Sequence, residues 1–109
     1  MFEIDKKARR LSNEEKDQYK NEGYVTDLPV FSENAVKDLH NWYSELSSKL
    51  PPNIDINKPN MWHKASKKFH DLCRTPAILD YVEDLLGPNL VQWGGQFFSK
   101  EPKDGSVVP

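Results

Sequence analysis

One cysteine, Cys73, stands in 109 residues, so no disulfide can form within the chain and a reducing, intracellular setting is expected. No apolar run approaches the ~18 residues that a bilayer-spanning helix needs. The opening Met1-Phe2-Glu3-Ile4-Asp5 brings acidic residues where a secretory signal would have its apolar stretch. The expected location is therefore the cytoplasm, with no membrane contact. A dominant charge is also missing: 15 Lys+Arg against 17 Asp+Glu give a net charge of -2, which leaves no basic field for nucleic acid or an anionic surface. The one basic cluster, Lys6-Lys7-Arg9-Arg10, is followed at once by Glu14, Glu15 and Asp17, so residues 1–10 read as a solvated, flexible tail.

Motifs that carry chemistry are scarce. There is no Gly-x-Ser-x-Gly elbow, no phosphate-binding Gly-rich loop and no zinc-spaced Cys/His set. None of the three histidines starts a His-x-Asp or His-x-Glu pair, because His40, His63 and His70 are followed by Asn41-Trp42, Lys64-Ala65 and Asp71-Leu72. A two-His-one-carboxylate iron site thus cannot be assembled from a local motif. His63 and His70 are about two turns apart on a continuous helix and could share a face as paired ligands, although two partly exposed polar histidines are the plainer reading. Cys73, among Leu72, Ile78 and Leu79, reads as a buried, inert thiol. Apolar residues are few as well: 37% hydrophobic against 29% charged, with a mean hydropathy of -0.78. Marginal stability is expected of so small and polar a chain.

Helix signals, by contrast, are plentiful. Ser12-Asn13-Glu14-Glu15 is a capping box, and Gly23 supplies a left-handed stop after Glu22. Ser32 opens a second helix with Val36, Leu39, Trp42 or Tyr43, Leu46 and Leu50 along one stripe, ended by Pro51-Pro52. Turn residues from Asn53 to Asn60 read as a loop. A third helix is expected from about Ala65 to Arg74. A fourth follows Thr75-Pro76, with Ile78, Leu79, Val82, Leu85 and Leu86 on one face and Gly87-Pro88 closing it.

Strand signals are weaker. Tyr24-Val25-Thr26 reads as a short extended piece, and Asn89 to Lys100 as the main strand. Val91, Trp93 and Phe97 are expected on its helix-packing side, and Gln92, Gln96, Phe98 and Lys100 on a cavity side. Gly94-Gly95 within it marks a bulge or a close backbone approach. Ser106-Val107-Val108-Pro109 reads as the opening of another strand. The fold class is therefore α+β with an incomplete sheet, and an unpaired edge from Gln92 to Lys100 would invite self-association.

Three stretches in order, LSNEEKDQYKNEGYVTDLPVF, FHDLCRTPAILDYVEDLLGPNL and QFFSKEPKDGSVVP, resemble the phytanoyl-CoA dioxygenase family of Fe(II)- and 2-oxoglutarate-dependent oxygenases, from about Leu11 to Pro109. Each is common alone; their order, closed by Phe-x-Lys-x-Pro, is specific. The resemblance implies that residues 1–109 are the N-terminal part of one such domain: helices and first strands of a double-stranded β-helix, jelly-roll or cupin-like. In the family a His-x-Asp motif follows where Ser106-Val107-Val108-Pro109 stands, so the iron ligands are expected outside this sequence. No metal ligand or catalytic residue is then assigned here, and the chain by itself is expected to be inactive. The implied cofactors of the complete enzyme are Fe(II) and 2-oxoglutarate, and its substrate a small molecule or an acyl-CoA thioester that is hydroxylated. By spacing to the family's motifs, Lys64 is the match for a lysine that contacts 2-oxoglutarate, with Lys58 as the alternative. Gln96 matches a second cosubstrate position. Their plainer readings are a solvated lysine at a helix start and a strand residue bonded to a neighbour. A reading of another class is a self-standing binding module whose pocket is lined by Trp62, Trp93, Phe97 and Phe98.

Overall fold

Serine hydroxyls set the first turn of three helices. In the computed structural model, which describes residues 1–107, Ser12 opens α1 (Asn13–Glu22): its Oγ accepts from the Glu15 N–H and the Glu15 carboxylate accepts from the Ser12 N–H. Gly23 ends α1 at φ 83°, where a Cβ would be strained. Ser32 caps α2 (Glu33–Lys49) through the Ala35 N–H. The single turn α3 (Trp62–Ala65) stops at Ser66, whose hydroxyl then caps α4 (Lys67–Cys73) through the Phe69 N–H. α5 (Pro76–Leu86) starts at a proline, as predicted. Thr75, however, does not cap with its side chain. Its carbonyl accepts from Ile78 and Leu79, both at 3.0 Å, while its hydroxyl donates back to the Asp71 carbonyl at 3.3 Å. At 1% exposure Thr75 is the tightest point of the α4–α5 junction.

The strands do not form, and the α+β, double-stranded β-helix expectation is corrected accordingly. The structure is 46% helical and 4% strand, with no sheet among the described residues. Two isolated bridges, Ile4 antiparallel to Phe31 and Met61 parallel to Gly95, are the only β pairing among the described residues. The cause is the supply of partners. The piece that faces Gly95 is the turn-rich loop before α3, so pairing amounts to Gly95 N–H to Asn60 O at 3.1 Å and Trp62 N–H to Gly95 O at 3.2 Å. Beyond Gly95 a side chain takes over: Asn57 accepts from the Ser99 N–H at 2.7 Å and donates to the Ser99 carbonyl at 2.9 Å. Tyr24-Val25-Thr26 joins neither bridge. Ser106, read as a strand start, pairs with no strand and donates its N–H to the Asp104 carboxylate at 2.7 Å, and Val108 and Pro109 lie outside the described residues.

Around this junction an aromatic cluster forms the larger core. Phe97 is at its centre, with ring centroids 5.1 Å from Phe69, 5.3 Å from Tyr43, 5.7 Å from Trp62 and 5.9 Å from Trp42. The edge-on and tilted angles suit the ring quadrupoles, and such pairs contribute roughly 0.5–1.5 kcal/mol each beyond the area they bury. Ile56, Leu46 and Leu50 fill the sides. Gly95 lies so close that a Cβ there would stand 2.5 Å from the Phe69 ring. The close approach anticipated for Gly94-Gly95 is thus real, and it separates Phe97 from Val91 and Trp93. Those two, expected beside Phe97, are both 92% exposed.

Residues 1–10, expected as a solvated tail, are tied to the body. Backbone bonds join Glu3 to Ser32 and Asp5 to Val30. Arg10 reaches the acidic side of α5, at 2.6 Å from Asp84 and 3.0 Å from Asp80, and the Leu11 N–H donates to Asp84 at 2.9 Å. Tyr81 of α5, absent from the predicted apolar face, is buried and donates its hydroxyl to the Pro29 carbonyl at 2.7 Å, whereas Leu79 and Leu86 of that face are exposed. On α2, Ala35 is buried and Val36 exposed. α1 packs on α5 and α3 on α4. The radius of gyration is 15.7 Å, against about 13 Å for a compact domain of this length. No helix among the described residues is long and apolar enough to cross a membrane.

Candidate functional site

Two residues pinned inward turn their neighbours outward. The Trp62 indole N–H donates to the Ile56 carbonyl at 3.0 Å, and its ring lies against Phe97. With about 100° per residue on a helix, Lys64 then points roughly opposite, to solvent. On the facing segment Phe97 is held by four rings, and Gln96 and Phe98 on either side of it are exposed. The result is a pair of shallow clefts that share Asn60 and Met61 as a common wall. One, of about 450 Å³, has Trp93, Gln96 and Phe98 opposite that wall. The other, of about 500 Å³, holds Lys64.

Both residues predicted from the resemblance therefore line neighbouring clefts, although 32 positions separate Lys64 from Gln96 in the sequence. Lys64 makes no ion pair among the described residues. Gln96 donates one amide hydrogen to the Asn57 carbonyl at 2.8 Å. Its second remains free for a ligand oxygen. Lys58 lines neither cleft; it lies in the turn that its own N–H closes on Asp55. Asn57, Asn60 and Met61 were not singled out in the sequence. Their only signal is the density of turn residues, which says that a loop is present and not what it faces.

An ammonium and an amide N–H are each donors that suit a carboxylate oxygen. The clefts do not fit iron. Among the described residues no three His, Cys, Asp or Glu side chains are grouped to hold a metal. The shared face imagined for His63 and His70 needs a continuous helix, and Ser66, at φ -127° and ψ 119°, breaks it between α3 and α4. His63 Nδ1 is shielded and has no hydrogen-bond partner among the described residues, while His70 Nδ1 stands 3.8 Å from an Asp71 oxygen. Cys73 is partly exposed, not buried as expected, and its sulfur receives a hydrogen bond from Gln92 Nε2 at 2.9 Å.

The strongly held carboxylates lie elsewhere. Hydrogen bonding to Arg9 first, then to the Ser12 backbone, brings Glu15 down to about 2. Arg10, then the Leu11 N–H, holds Asp84 below its ordinary value. Both fasten the N-terminal segment and face neither cleft. Comparison of the chain with protein-family models, with curated proteins and with solved structures found no match in any of the three.

Proposed function

We propose that the chain is the N-terminal portion of an Fe(II)- and 2-oxoglutarate-dependent oxygenase of the phytanoyl-CoA dioxygenase type, which hydroxylates a small molecule or an acyl-CoA thioester. Its own share is to hold one carboxylate of 2-oxoglutarate between Lys64 and Gln96. What supports this is that the two residues singled out by the motif resemblance line adjoining clefts, each with a free N–H donor. 2-Oxoglutarate, when bound in such an enzyme, supplies the electrons that reduce O₂. The residues here neither bind the metal nor move a proton; they orient a carboxylate by charge and hydrogen bond. An exposed ammonium–carboxylate pair contributes only about 0.2–1 kcal/mol. With about 1.5–3 kcal/mol from the Gln96 hydrogen bond to a charged carboxylate, the two contacts together reach about 4 kcal/mol at most, so the chain alone is expected to bind no tighter than about millimolar.

The test is a titration with 2-oxoglutarate followed by amide NMR. The Gln96 side-chain amide and the Asn60 and Met61 N–H signals should move, Lys64→Ala should abolish the movement, and no succinate should form when Fe(II) is added. Signals unmoved at tens of millimolar 2-oxoglutarate would overturn the assignment of these residues, as would movement that survives Lys64→Ala. Succinate formation would overturn the supporting role.

A second reading has one observation in its favour: Trp93 and Phe98 are largely exposed and flank the Gln96 cleft. A binding module would use these two rings. Trp62 and Phe97, expected in the same pocket, belong to the core. Quenching of Trp93 by a flat apolar ligand, with no effect of 2-oxoglutarate, would favour the module.

A further inference from the structure

The segment just before Gly95 is left unpartnered in both its apolar side chains and its backbone. Val91 and Trp93 are each 92% exposed. Among the described residues, the backbone groups of Leu90 to Trp93 bond to no other segment. Natural edges of this composition are normally guarded by a charge, a proline or a covering element. Here no residue from Leu85 to Ser99 is charged, in a chain that is 29% charged overall.

We propose that Leu90 to Trp93 is a homotypic docking edge, on which two copies of this chain pair as antiparallel strands. Charge selects this occupant. A basic or acidic peptide finds no counter-charge along the edge, whereas a second copy brings an equally neutral strip and nothing repels it. Symmetry agrees. An antiparallel pair about a twofold axis is self-complementary, so each copy is both edge and partner. Centred on Gln92, that pairing sets Val91 of one copy opposite Trp93 of the other, twice, which is a favourable β-branched–aromatic cross-strand pair.

The area sets the strength. An aromatic side chain buries roughly 150–250 Å². With two tryptophans and two valines covered only on the side of the pair, plus the paired backbone, the total stays below the roughly 1,000 Å² of a specific, stable interface. Dimerisation is then reversible and weak, seen at high micromolar concentration rather than nanomolar. It concerns these 109 residues as they stand and does not depend on the oxygenase reading.

Sedimentation velocity of the full chain from micromolar to near-millimolar concentration tests it. A monomer–dimer equilibrium is expected, with Trp emission shifting to the blue as dimer accumulates. Val91→Lys should weaken association by about tenfold or more, with an unchanged far-UV spectrum because Val91 packs on nothing. Val36→Lys, an exposed change on α2, should leave association as it was. In a Cys73→Ser background, Gln92→Cys should form an intermolecular disulfide on mild oxidation, faster than Asn89→Cys. A chain that stays monomeric at near-millimolar concentration overturns the proposal. So does a dimer that is indifferent to Val91→Lys, and faster cross-linking at position 89 overturns the register.

Discussion

The two ends of this chain are fastened to its helices by different physics. Beyond the backbone bonds of Glu3 and Asp5, the leading segment is held by charge from Arg9 to Leu11: Arg10 on Asp84 and Asp80, Arg9 on Glu15, and Leu11 N–H on Asp84. The trailing segment is held by shape: Phe97 sits among four rings, and Gly95 lies where no side chain would fit. The first attachment tolerates displacement but depends on ionisation. The second is indifferent to pH and intolerant of a change in volume.

Phe97→Ala should break the comparison most severely. Removing a ring from the centre of an aromatic core costs about 3–5 kcal/mol. For a marginal chain that means loss of cooperative urea unfolding, whereas Phe97→Leu should retain it. Gly95→Ala comes next. A Cβ 2.5 Å from the Phe69 ring must push that ring or the backbone aside, for about 1–3 kcal/mol in the same assay.

Acid sharpens the contrast from the other side. Glu15 and Asp84 both titrate lower in the folded chain than in an unfolded one. Their stabilisation is therefore complete above the unfolded value and is lost as the pH falls. For Glu15 the window runs from 4.5 to about 2. Over that window the Leu11 and Ser12 amide signals should change before the indole signal of Trp62. Arg10→Ala should move the loss of the Leu11 contact to higher pH. Simultaneous change of both regions would mean that they unfold as one unit. The smallest effect is expected at Trp93→Ala, under about 0.5 kcal/mol in dilute urea unfolding, because the side chain is almost fully exposed.

Local signals were legible in the sequence. Ser12 with Glu15, Gly23, Ser32 and Pro76 specify helix ends through atoms within four residues, and the helices begin and end there. What depends on distant partners was not. The pattern from Asn89 to Lys100 suits a strand, but a strand needs a neighbour, and the neighbour is a loop that offers one carbonyl at Asn60 and one side chain at Asn57. The alternation that grouped Val91 and Trp93 with Phe97 fails at Gly94-Gly95. The destination of Arg10 lies 70 to 74 residues away on α5. Of the candidate site, Lys64 and Gln96 came from a motif resemblance. Their shared wall of Asn60 and Met61 became visible only once Trp62 and Phe97 were seen to point inward.

Amide hydrogen exchange in dilute solution is the most direct test of a helical body that holds this segment from Gly95 onward while Leu90 to Trp93 stays unpaired. Slow exchange is expected at Gly95 and Trp62, and fast exchange at Val91, Gln92 and Trp93, slowing only as concentration rises. Equal protection across Val91 to Gly95 at high dilution would contradict it, because it would mean a paired strand within the single chain.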